Sequence, residues 1–595
     1  MEQFRTDILA LLTGILTCGS LTASGQQQFS EIRLNQVGFY PEGAKKAVVP
    51  GKASGNFYIT TPNLSDTLYT GNLGAELKSL HSGKTTRVAD FSTFRQSGTY
   101  VLLVPGQGYS YPFEVSQEVY QEMTKAAIKA FYFQRASTDL EEEHAGQWSR
   151  PAGHPDNKVL VHASAASKKR PEGTVLACSK GWYDAGDYNK YIVNSGITTA
   201  TMLSAYEDFP VYFNTLNLQL PESNNTLPDV LDEALWNLRW MLTMQDPEDG
   251  GVYHKLTTAN FEGMSTKPSE ASAPRYVVKK STAAALNFAA VMAQASRVFR
   301  KYDKEMPGFA DSSLVAAKAA WKWARKNPAV LYDQSEMNKQ YAPAINTGAY
   351  GDKDVSDEFD WAATELYLAT KDDSYYKAIK AMPHKSMDLP SWGQVRFLGY
   401  FSLARHEKEL TPAAKKNYPK LKAALIAFAD QLVQAGEKTP YKVPMGGNAH
   451  DFVWGSNAVA GNQGIALVQA YRLTKNKKYL DSALANLDYL LGRNATGYSF
   501  LTGFGDKTPM FPHHRLSVSD GVKEPVPGLL VGGPNPGQQD DCTYPTKIAD
   551  ESYVDEECSY ASNEIAINWN APFLYLASAL EALKYEAGYV QKKNN

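Results

Sequence analysis

Two aspartates separated by a small Ala-Gly step form the first candidate catalytic group. They are Asp184 and Asp187, in the segment GWYDAGDYNKY of residues 181–191. The small pair between them lets the backbone turn tightly, so both carboxylates can point into one space. Close like charges raise the pKa of one carboxyl group, and two acceptors can hold a water molecule from two sides. Taken alone, the pattern is more typical of a surface turn in which Asp187 caps a helix.

A second group of polar residues ends a loop rich in Gly and Pro. The segment SFLTGFGDKTPMFPHHR, residues 499–515, places His513 and Arg515 on the same side of the backbone if it is locally extended. Two such donors could hold the hydroxyl groups of a sugar. A surface loop whose His and Arg pair with acidic residues explains the segment equally well.

A third candidate is a glutamate that stands apart from other charges. In the segment YVDEECSYASNEIAINWNA, residues 553–571, three acids cluster near the start, and Glu564 follows among Ala, Ser and Ile. A carboxyl group in apolar surroundings has a raised pKa, which is what a general acid working near neutral pH needs. On local grounds, a Glu that caps or pairs with a nearby helix is the more common arrangement.

Together, the three segments resemble glycoside hydrolase family 9, the inverting β-1,4-glucanases. The first matches the DAGD block of the family, the second its His-x-Arg signature and the third its C-terminal signature. Further segments that look like the family are PDVLDEA (228–234), GGVYHK (250–255) and DEFDWAA (357–363), and LNQVGF (34–39) resembles the start of an immunoglobulin-like module. The resemblance therefore covers nearly the whole chain.

The resemblance implies a role for each candidate. Asp187 would be the general base, Asp184 would help to hold the nucleophilic water, and Glu564 would protonate the leaving oxygen. His513 and Arg515 would bind the sugar near the scissile bond. The other residues that the resemblance assigns to substrate binding are Asp555, Tyr183, Trp569 and His254. An inverting enzyme needs its two carboxyl groups about 6.5–9.5 Å apart, with room for water.

Helical periodicity begins near residue 117 and predicts the elements that must position these residues. The expected helices span 117–135, 196–208, 228–245, 281–299, 312–326, 357–369, 373–381, 392–404, 411–435, 456–473, 477–491 and 570–585. Twelve helices make six hairpins, and closing them into a ring leaves the loops of one end to form a cleft. The fold expected for residues 117–590 is an all-α (α/α)6 barrel, which would bring Asp187 and Glu564 together.

A smaller all-β part is predicted before the helices. Between residues 30 and 116, short apolar or alternating runs such as NFYIT and TYVLLV are separated by turn residues. Strands at this spacing predict a sandwich, and the resemblance makes it immunoglobulin-like. We expect a multidomain protein in which this module packs against the helical catalytic domain.

The first 25 residues are interpreted as a signal peptide. The apolar run of residues 8–17 is shorter than the roughly 20 residues that a membrane span needs, and small residues follow it. Export to the periplasm or the medium is expected. Lipid anchoring at Cys18 is the less favoured alternative, because Thr17 is bulkier than the residue expected there. No other stretch is apolar enough to span a membrane, and we expect a monomer.

The remaining cysteines suggest one disulfide. Cys542 and Cys558 are 16 residues apart in a region rich in Gly, Pro and Asp, and could be bridged in an oxidising compartment. Two free, partly buried thiols are the alternative. Cys178 would remain unpaired. No CxxC pair exists, so a zinc site is not predicted.

Composition limits the partners and cofactors. The net charge is −3, from 60 basic and 63 acidic side chains, which argues against nucleic-acid binding. The 35 Tyr suit a cleft for sugars. Relatives often bind calcium near the segment that matches Asp357 and Glu358, and Asp354 lies close by. Because residues 392–394 offer no third carboxylate, we expect no cofactor and keep calcium as a weak alternative.

The sequence thus predicts an exported endo-β-1,4-glucanase acting on soluble or hemicellulosic glucan: cellulose-like chains, mixed-linkage glucan or xyloglucan. An exo-acting β-glucosidase or glucosaminidase of the same fold is the nearest alternative, since loops 246–280 and 516–552 could close one end of the cleft. A non-catalytic glycan-binding protein is a third. The joint presence of Asp184, Asp187 and Glu564 argues against it.

Overall fold

The computed structural model describes residues 31–380, 382–448 and 450–591. The predicted signal peptide and Cys18 lie outside the described residues. Within these ranges, none of the helices combines the length and the apolar character that crossing a bilayer requires.

Two β-sheets form the N-terminal part of the chain. Their strands are β1 (Gly38–Phe39), β2 (Lys46–Pro50), β3 (Asn56–Thr60), β4 (Thr67–Asn72), β5 (Leu77–Lys78), β6 (Thr85–Asp90), β7 (Gly98–Val104), β8 (Gly108–Tyr109) and β9 (Phe113–Val115). One sheet has the order β1-β9-β7-β3-β4, with β8 paired to β7, and the other is β2-β6-β5. Alternate residues of β3, Phe57 and Ile59, are fully buried with Val49 of β2 and Leu102 of β7 in one apolar core. This core between two sheets is the sandwich that the alternating pattern predicted.

Helices dominate from residue 121 onward. They are α1 (Gln121–Phe133), α2 (Glu142–Ala145), α3 (Ile192–Asp208), α4 (Pro210–Phe213), α5 (Asp229–Thr243), α6 (Thr282–Phe299), α7 (Phe309–Lys326), α8 (Gln334–Gln340), α9 (Ser356–Thr370), α10 (Asp373–Tyr376), α11 (Arg396–Arg405), α12 (Pro412–Lys438), α13 (Ser456–Thr474), α14 (Lys477–Leu490), α15 (Arg515–Ser519) and α16 (Ile567–Leu583). Each predicted helix overlaps one of these. The unpredicted α2, α4, α8 and α15 are too short to show a helical period.

Two groups of helices differ in burial. Helices α3, α6, α9, α11, α13 and α16 are buried along most of their length, whereas α7 and α12 bury one face. Among the buried helices, α3 packs against α6 and α16, α9 packs against α6 and α11, and α13 packs against α16. Asp187 precedes α3 and Glu564 precedes α16, so the two candidate carboxylates stand just before the N-termini of neighbouring helices.

A small sheet supports the segment that carries the aspartates. Its strands are β10 (Val159–Val161), β11 (Val175–Leu176), β12 (Lys190–Tyr191), β13 (Lys255–Thr258) and β14 (Arg275–Val277), in the order β11-β10-β14-β13-β12. In the antiparallel pair of β12 and β13, Tyr191 lies opposite Lys255. This pairing ties the residues after Asp187 to the interior of the helical part.

Buried hydrogen bonds join the β-sandwich to the helices. Asn35 donates from Nδ2 to Asp488 Oδ1 over 2.8 Å, and the Tyr40 hydroxyl donates to Glu581 Oε1 over 2.5 Å. Both pairs link residues more than 400 positions apart. The last strand of the sandwich ends at Val115 and α1 begins at Gln121, which leaves the predicted domain boundary between them.

Candidate active site

One cavity of about 900 Å³ contains residues from all three sequence motifs. Asp187 from the first, His513 and Arg515 from the second, and Glu564 and Trp569 from the third line it together. This volume is in the range of sites that enclose small molecules. The three segments that sequence analysis singled out separately therefore form one site.

Close backbone packing brings the motifs together at Gly186. A Cβ atom there would lie 2.1 Å from the carbonyl oxygen of His513, so only glycine fits. The amide of Arg515 donates to Gly186 O over 3.1 Å, and the amide of Ile567 donates to Asp184 O over 2.8 Å. The small residue in the DAGD segment thus allows the first and second motifs to touch, and the start of α16 is bonded to the same turn.

Neutral donors surround the carboxylate of Asp187. Its Oδ2 accepts hydrogen bonds from Asn189 Nδ2 over 2.5 Å and from the Tyr191 hydroxyl over 3.2 Å. The side chain is 5% exposed and reaches the cavity. These neutral donors fix the position of the carboxylate at the cavity.

Asp184 is more deeply buried. Asn194 donates to both of its oxygens over 3.0 Å, and the Tyr350 hydroxyl donates to Oδ2 over 2.9 Å. Burial, together with the negative charge of Asp187, raises the pKa of Asp184 well above its usual range. This is the pKa separation that the sequence predicted for two close aspartates.

Glu564 faces both aspartates from the start of α16. Burial raises the pKa of Glu564 well above its usual range, and the charges of Asp187 and Asp184 raise it further, while the nearby Arg515 acts in the opposite direction. At neutral pH this carboxyl group holds a proton more firmly than an exposed glutamate does. A proton-carrying acid and a basic carboxylate therefore share one cavity, which is the pair that acid–base hydrolysis requires.

His513 presents an acceptor to the cavity. Its Nδ1 lies 2.7 Å from Glu557 O, and because a carbonyl oxygen only accepts, Nδ1 carries the proton. Burial lowers the pKa of His513, which keeps the ring neutral and leaves Nε2 as an acceptor. The sequence predicted a donor here, and the structure corrects this because Glu557 O selects the opposite tautomer.

Arg515 and Asp555 hold the backbone around the site. Arg515 donates from Nε to Glu262 O and from Nη1 to Gly186 O, each over 2.9 Å. It also lines the cavity. Asp555 accepts from the amides of Met510 and Phe511 over 2.8 and 3.0 Å and does not reach the cavity lining. The part predicted for Asp555 in substrate binding is thus reduced to fixing the loop before His513.

Tyr183 and His254 lie behind the cavity wall. Tyr183 is fully buried, and its hydroxyl lies 2.8 Å from Nδ1 of His154. His254 is also fully buried, bonded to Ser281 and stacked on Tyr332 at 3.9 Å between ring centroids. Because protein encloses both rings, neither side chain can contact the substrate directly. This corrects the prediction that Tyr183 and His254 bind the substrate.

Aromatic rings form several parts of the cavity walls. Trp569, predicted from the third motif, lies there with Trp454, whose ring centroid is 5.6 Å from that of Tyr560. On the lining, Tyr350 and Trp392 meet edge to face at 5.4 Å. Flat apolar faces with polar edges suit pyranose rings.

Sequence reasoning missed the partners that fix the two aspartates. Tyr350, Asn189 and Asn194 each donate to one of the carboxylates. The asparagines flank the DAGD segment and could have been identified as amide donors close to it. Tyr350 comes from a loop with no motif, 163 residues after Asp187, and carried no signal.

The carboxylates considered for calcium lie at the start of α9. Both oxygens of buried Glu358, and Oδ2 of Asp352, lack a hydrogen-bond partner, whereas Asp357 Oδ2 accepts from the Val395 amide over 2.6 Å. Across the described ranges, no three His, Cys, Asp or Glu side chains are placed to hold a metal ion. Burial and the neighbouring Asp357 raise the pKa of Glu358, which favours its protonated form.

The predicted disulfide is confirmed. Cys542 and Cys558 are bonded, with Cα atoms 5.6 Å apart, and Cys178 is a buried free thiol. Because Cys558 directly follows Glu557, the bridge anchors the carbonyl group that orients His513.

Comparisons with known proteins agree with this geometry. The family model described as glycosyl hydrolase family 9 matches residues 120–577, and that of the cellulase N-terminal ig-like domain matches residues 27–109. A xyloglucan-specific endo-β-1,4-glucanase of Bacteroides ovatus is 50% identical over 554 residues, covering 93% of this chain and 94% of its own length. Endoglucanase D of Acetivibrio thermocellus is 34% identical over 553 residues, covering 92% and 82%. A solved Bacteroides ovatus structure from the same family superposes with a TM-score of 0.89 at 48% identity, covering 94% of this chain and all of its own.

Proposed function

The chain belongs to glycosyl hydrolase family 9, and from this we propose that it is an inverting endo-β-1,4-glucanase whose preferred substrate is xyloglucan. The observation that carries the proposal is the shared cavity of Asp187 and Glu564, in which burial keeps Glu564 protonated. An acid and a base on one cavity match the requirement for single-step displacement by water.

We propose the following division of roles. Glu564 donates its proton to the glycosidic oxygen as the bond to the anomeric carbon breaks. Asp187 removes a proton from the water that attacks from the opposite face, and Asp184 accepts that water's other hydrogen bond. His513 and Arg515 bind hydroxyl groups of the sugar that reacts. The lining of the cavity by Asp187, Glu564, His513 and Arg515 supports their roles, whereas the role of Asp184 rests on the family resemblance.

The substrate proposal rests on the similarity to the Bacteroides ovatus enzyme and on the walls of the cleft. Trp454 and Phe261 are 43% and 47% exposed although both line the cavity. Such exposed aromatic faces can cover more than the backbone glucose units, as a branched glucan requires. We propose that they contact side-chain sugars of xyloglucan.

The architecture proposed for residues 117–590 is the (α/α)6 barrel, behind the immunoglobulin-like domain of residues 30–116. The packing of α3 between α6 and α16, and of α9 between α6 and α11, supports a closed ring of buried helices. We further propose an exported monomer that needs no cofactor. Activity that survives dialysis against EDTA, and elution at 65.6 kDa or slightly less after removal of the leader, would support this.

Product analysis tests the proposed activity. Purified protein is incubated with xyloglucan, mixed-linkage glucan and carboxymethyl-cellulose, and the first products are separated by size while the anomeric form is followed by NMR. We expect a rapid fall in the viscosity of xyloglucan, mixed oligosaccharides and an α-anomer at the new reducing end. Release of monosaccharide from the start indicates exo action, and binding without reducing ends would refute an enzyme.

A further inference from the structure

A buried lysine without a carboxylate contact lies behind the proposed base. Lys255 on β13 is fully buried, and its Nζ donates to Gln334 Oε1, Thr347 Oγ1 and Gly348 O over 2.8, 2.9 and 2.7 Å. All three acceptors are neutral. Enclosing an ammonium group in protein without a paired charge costs several kcal/mol. The position therefore calls for a compensating role.

A directed chain of hydrogen bonds leads from this lysine to Asp187. Thr347 Oγ1, which accepts from Lys255, lies 2.6 Å from Thr257 Oγ1, and that hydroxyl lies 3.0 Å from Asn189 Oδ1. Asn189 Nδ2 then donates to Asp187 Oδ2 over 2.5 Å. These neutral groups connect the lysine to the carboxylate, and the single proton of Thr257 Oγ1 is shared between Asn189 Oδ1 and Thr258 O, which lies 2.8 Å away.

The direction of this chain is set by main-chain chemistry. The amide of Thr258 donates to Asn189 Oδ1 over 2.9 Å, and since an amide N–H only donates, this atom must be the side-chain oxygen. Nδ2 therefore faces Asp187. At the other end, an ammonium group has only donors, so Thr347 Oγ1 accepts from it.

A second route runs through an aromatic ring. Lys255 Nζ lies 5.4 Å from the centroid of Tyr191, its partner across the two strands, and the Tyr191 hydroxyl donates to Asp187 Oδ2. A cation over the ring face makes the hydroxyl a better donor. The two side-chain donors to Asp187 Oδ2 are thus polarised from the same side, and the backbone amide of Asn189 is a third donor at 3.3 Å.

We propose that Lys255 is a positioning residue that holds the Asp187 carboxylate in its reactive orientation, through the Thr347–Thr257–Asn189 chain and through Tyr191. The inference rests on the proposed role of Asp187 as base. Its consequence is that the base depends on a charge that never touches the substrate. The two charges also affect each other. Burial lowers the pKa of Lys255 to about 7, and the negative charge of Asp187 acts to raise that pKa.

Other ionisable groups face the same pair. Asp187 also meets Asp184 and Glu564 from the cavity side and His513 from the second motif. Tyr332 packs beside Lys255. The carboxyl groups of Asp184 and Glu564 disfavour a negative charge on Asp187. A buried cation behind Asp187 would offset this effect.

Lys255→Gln tests the inference because it removes the charge and keeps a donor. We expect kcat on xyloglucan to fall about ten- to a hundredfold, with KM within about twofold of the wild-type value. Lys279→Gln is the control: its Nζ donates to Leu331 O over 3.2 Å, and its kcat and KM should both match the wild type.

Two further variants keep the outcome decisive. Thr257→Val removes one hydroxyl from the chain while leaving the lysine charged, and a severalfold fall in kcat at constant KM is expected. If Lys255→Gln does not fold, Thr257→Val decides. A wild-type kcat in Lys255→Gln and Thr257→Val would overturn the inference while Asp187→Asn remains inactive. An active Asp187→Asn would instead overturn the proposed function.

Discussion

The two ends of helix α3 bury acidic side chains in opposite ways. At its N-terminal end, Asp184 is surrounded by neutral donors, and burial raises its pKa. At its C-terminal end, Asp208 pairs with Arg405 over 2.7 Å and with Arg472, and neighbouring Glu207 pairs with Arg297 over 2.9 Å. Burial alone therefore does not decide what a carboxyl group does in this fold.

The two ends differ in the partners of their buried carboxyl groups. Burial acts to raise the pKa of Glu207, but Arg297, His406 and Arg405 outweigh it and hold that pKa well below its usual range. Such a carboxylate stays charged and stabilises the packing of helices, with no proton to exchange. At the cleft, the partners of Asp184 are neutral donors, and burial with the charge of Asp187 raises its pKa, which favours its protonated form. The comparison predicts that substitutions of acidic residues at the cleft reduce activity, and that substitutions at the C-terminal end of α3 reduce stability.

The sharpest test at the cleft is Glu564→Gln. Without a proton to donate, kcat on xyloglucan should fall at least about a thousandfold. An aryl glycoside with a good leaving group should lose much less, because its departure needs no proton. The melting temperature should be equal to or above that of the wild type, since one carboxyl group fewer is then enclosed beside Asp187. Rates are measured by reducing ends and stability by calorimetry.

Glu556→Gln serves as the control for this variant. Glu556 belongs to the same motif but is exposed, so both rate and stability should stay at wild-type values. Retained turnover of xyloglucan by Glu564→Gln would contradict the assignment of the acid.

At the opposite end, Asp208→Asn should act on stability alone. The change leaves Arg405 and Arg472 without their shared counter-charge, and breaking a buried pair in this way costs about 3–5 kcal/mol. Below the melting range kcat should be unchanged. Chemical denaturation measures the free energy of unfolding. Asp311→Asn, which removes an exposed pair with Arg300, should cost no more than about 1 kcal/mol.

Local sequence signals predicted the residues of the cleft better than the ion pairs at the C-terminal end of α3. The DAGD segment, His513 and Glu564 lie in motifs, and the helix periods indicated the scaffold. The ion pairs of Asp208 join residues 197 and 264 positions apart, and ordinary charges on helices carry no sign of such pairing. Pairing of this kind depends on how whole helices pack, which periodicity does not specify.

Motifs also failed to show which side of the wall a residue occupies. Tyr183 adjoins Asp184 in sequence, yet its ring points into a buried cluster with Tyr188 and Leu516. His254 adjoins Lys255 and is enclosed in the same way. Neighbouring residues on an extended segment point to opposite sides, so a motif can deliver one side chain to the cleft and the next to the core.

Removing the disulfide tests whether the loops of the cleft need a covalent bridge, in contrast to the C-terminal end of α3, which ion pairs hold. Cys542→Ser with Cys558→Ser should lower the free energy of unfolding by about 2–3 kcal/mol, because the unfolded chain gains freedom. KM should rise severalfold, since Glu557 O would hold His513 less firmly. Reduction of the wild type should reproduce both effects and leave the double variant unchanged. An unaltered KM would show that the loop is held by its packing.

The smallest expected effect separates the two ends by pH. Between about 4.3, the usual pKa of Glu, and its raised pKa, Glu564 binds a proton in the folded state that the unfolded state releases, so the wild type should lose stability relative to Glu564→Gln as pH rises. The loss is at most about 1.4 kcal/mol per pH unit and is reduced by the partial exposure of this side chain. Glu207 has the opposite sign: its lowered pKa stabilises the fold above about pH 4.3, and this advantage over Glu207→Gln should vanish as pH falls. Melting curves at pH 3, 4.5, 6 and 7.5 give the stability difference between the wild type and each variant. If both differences change with pH in the same direction, the distinction between the ends of α3 is wrong.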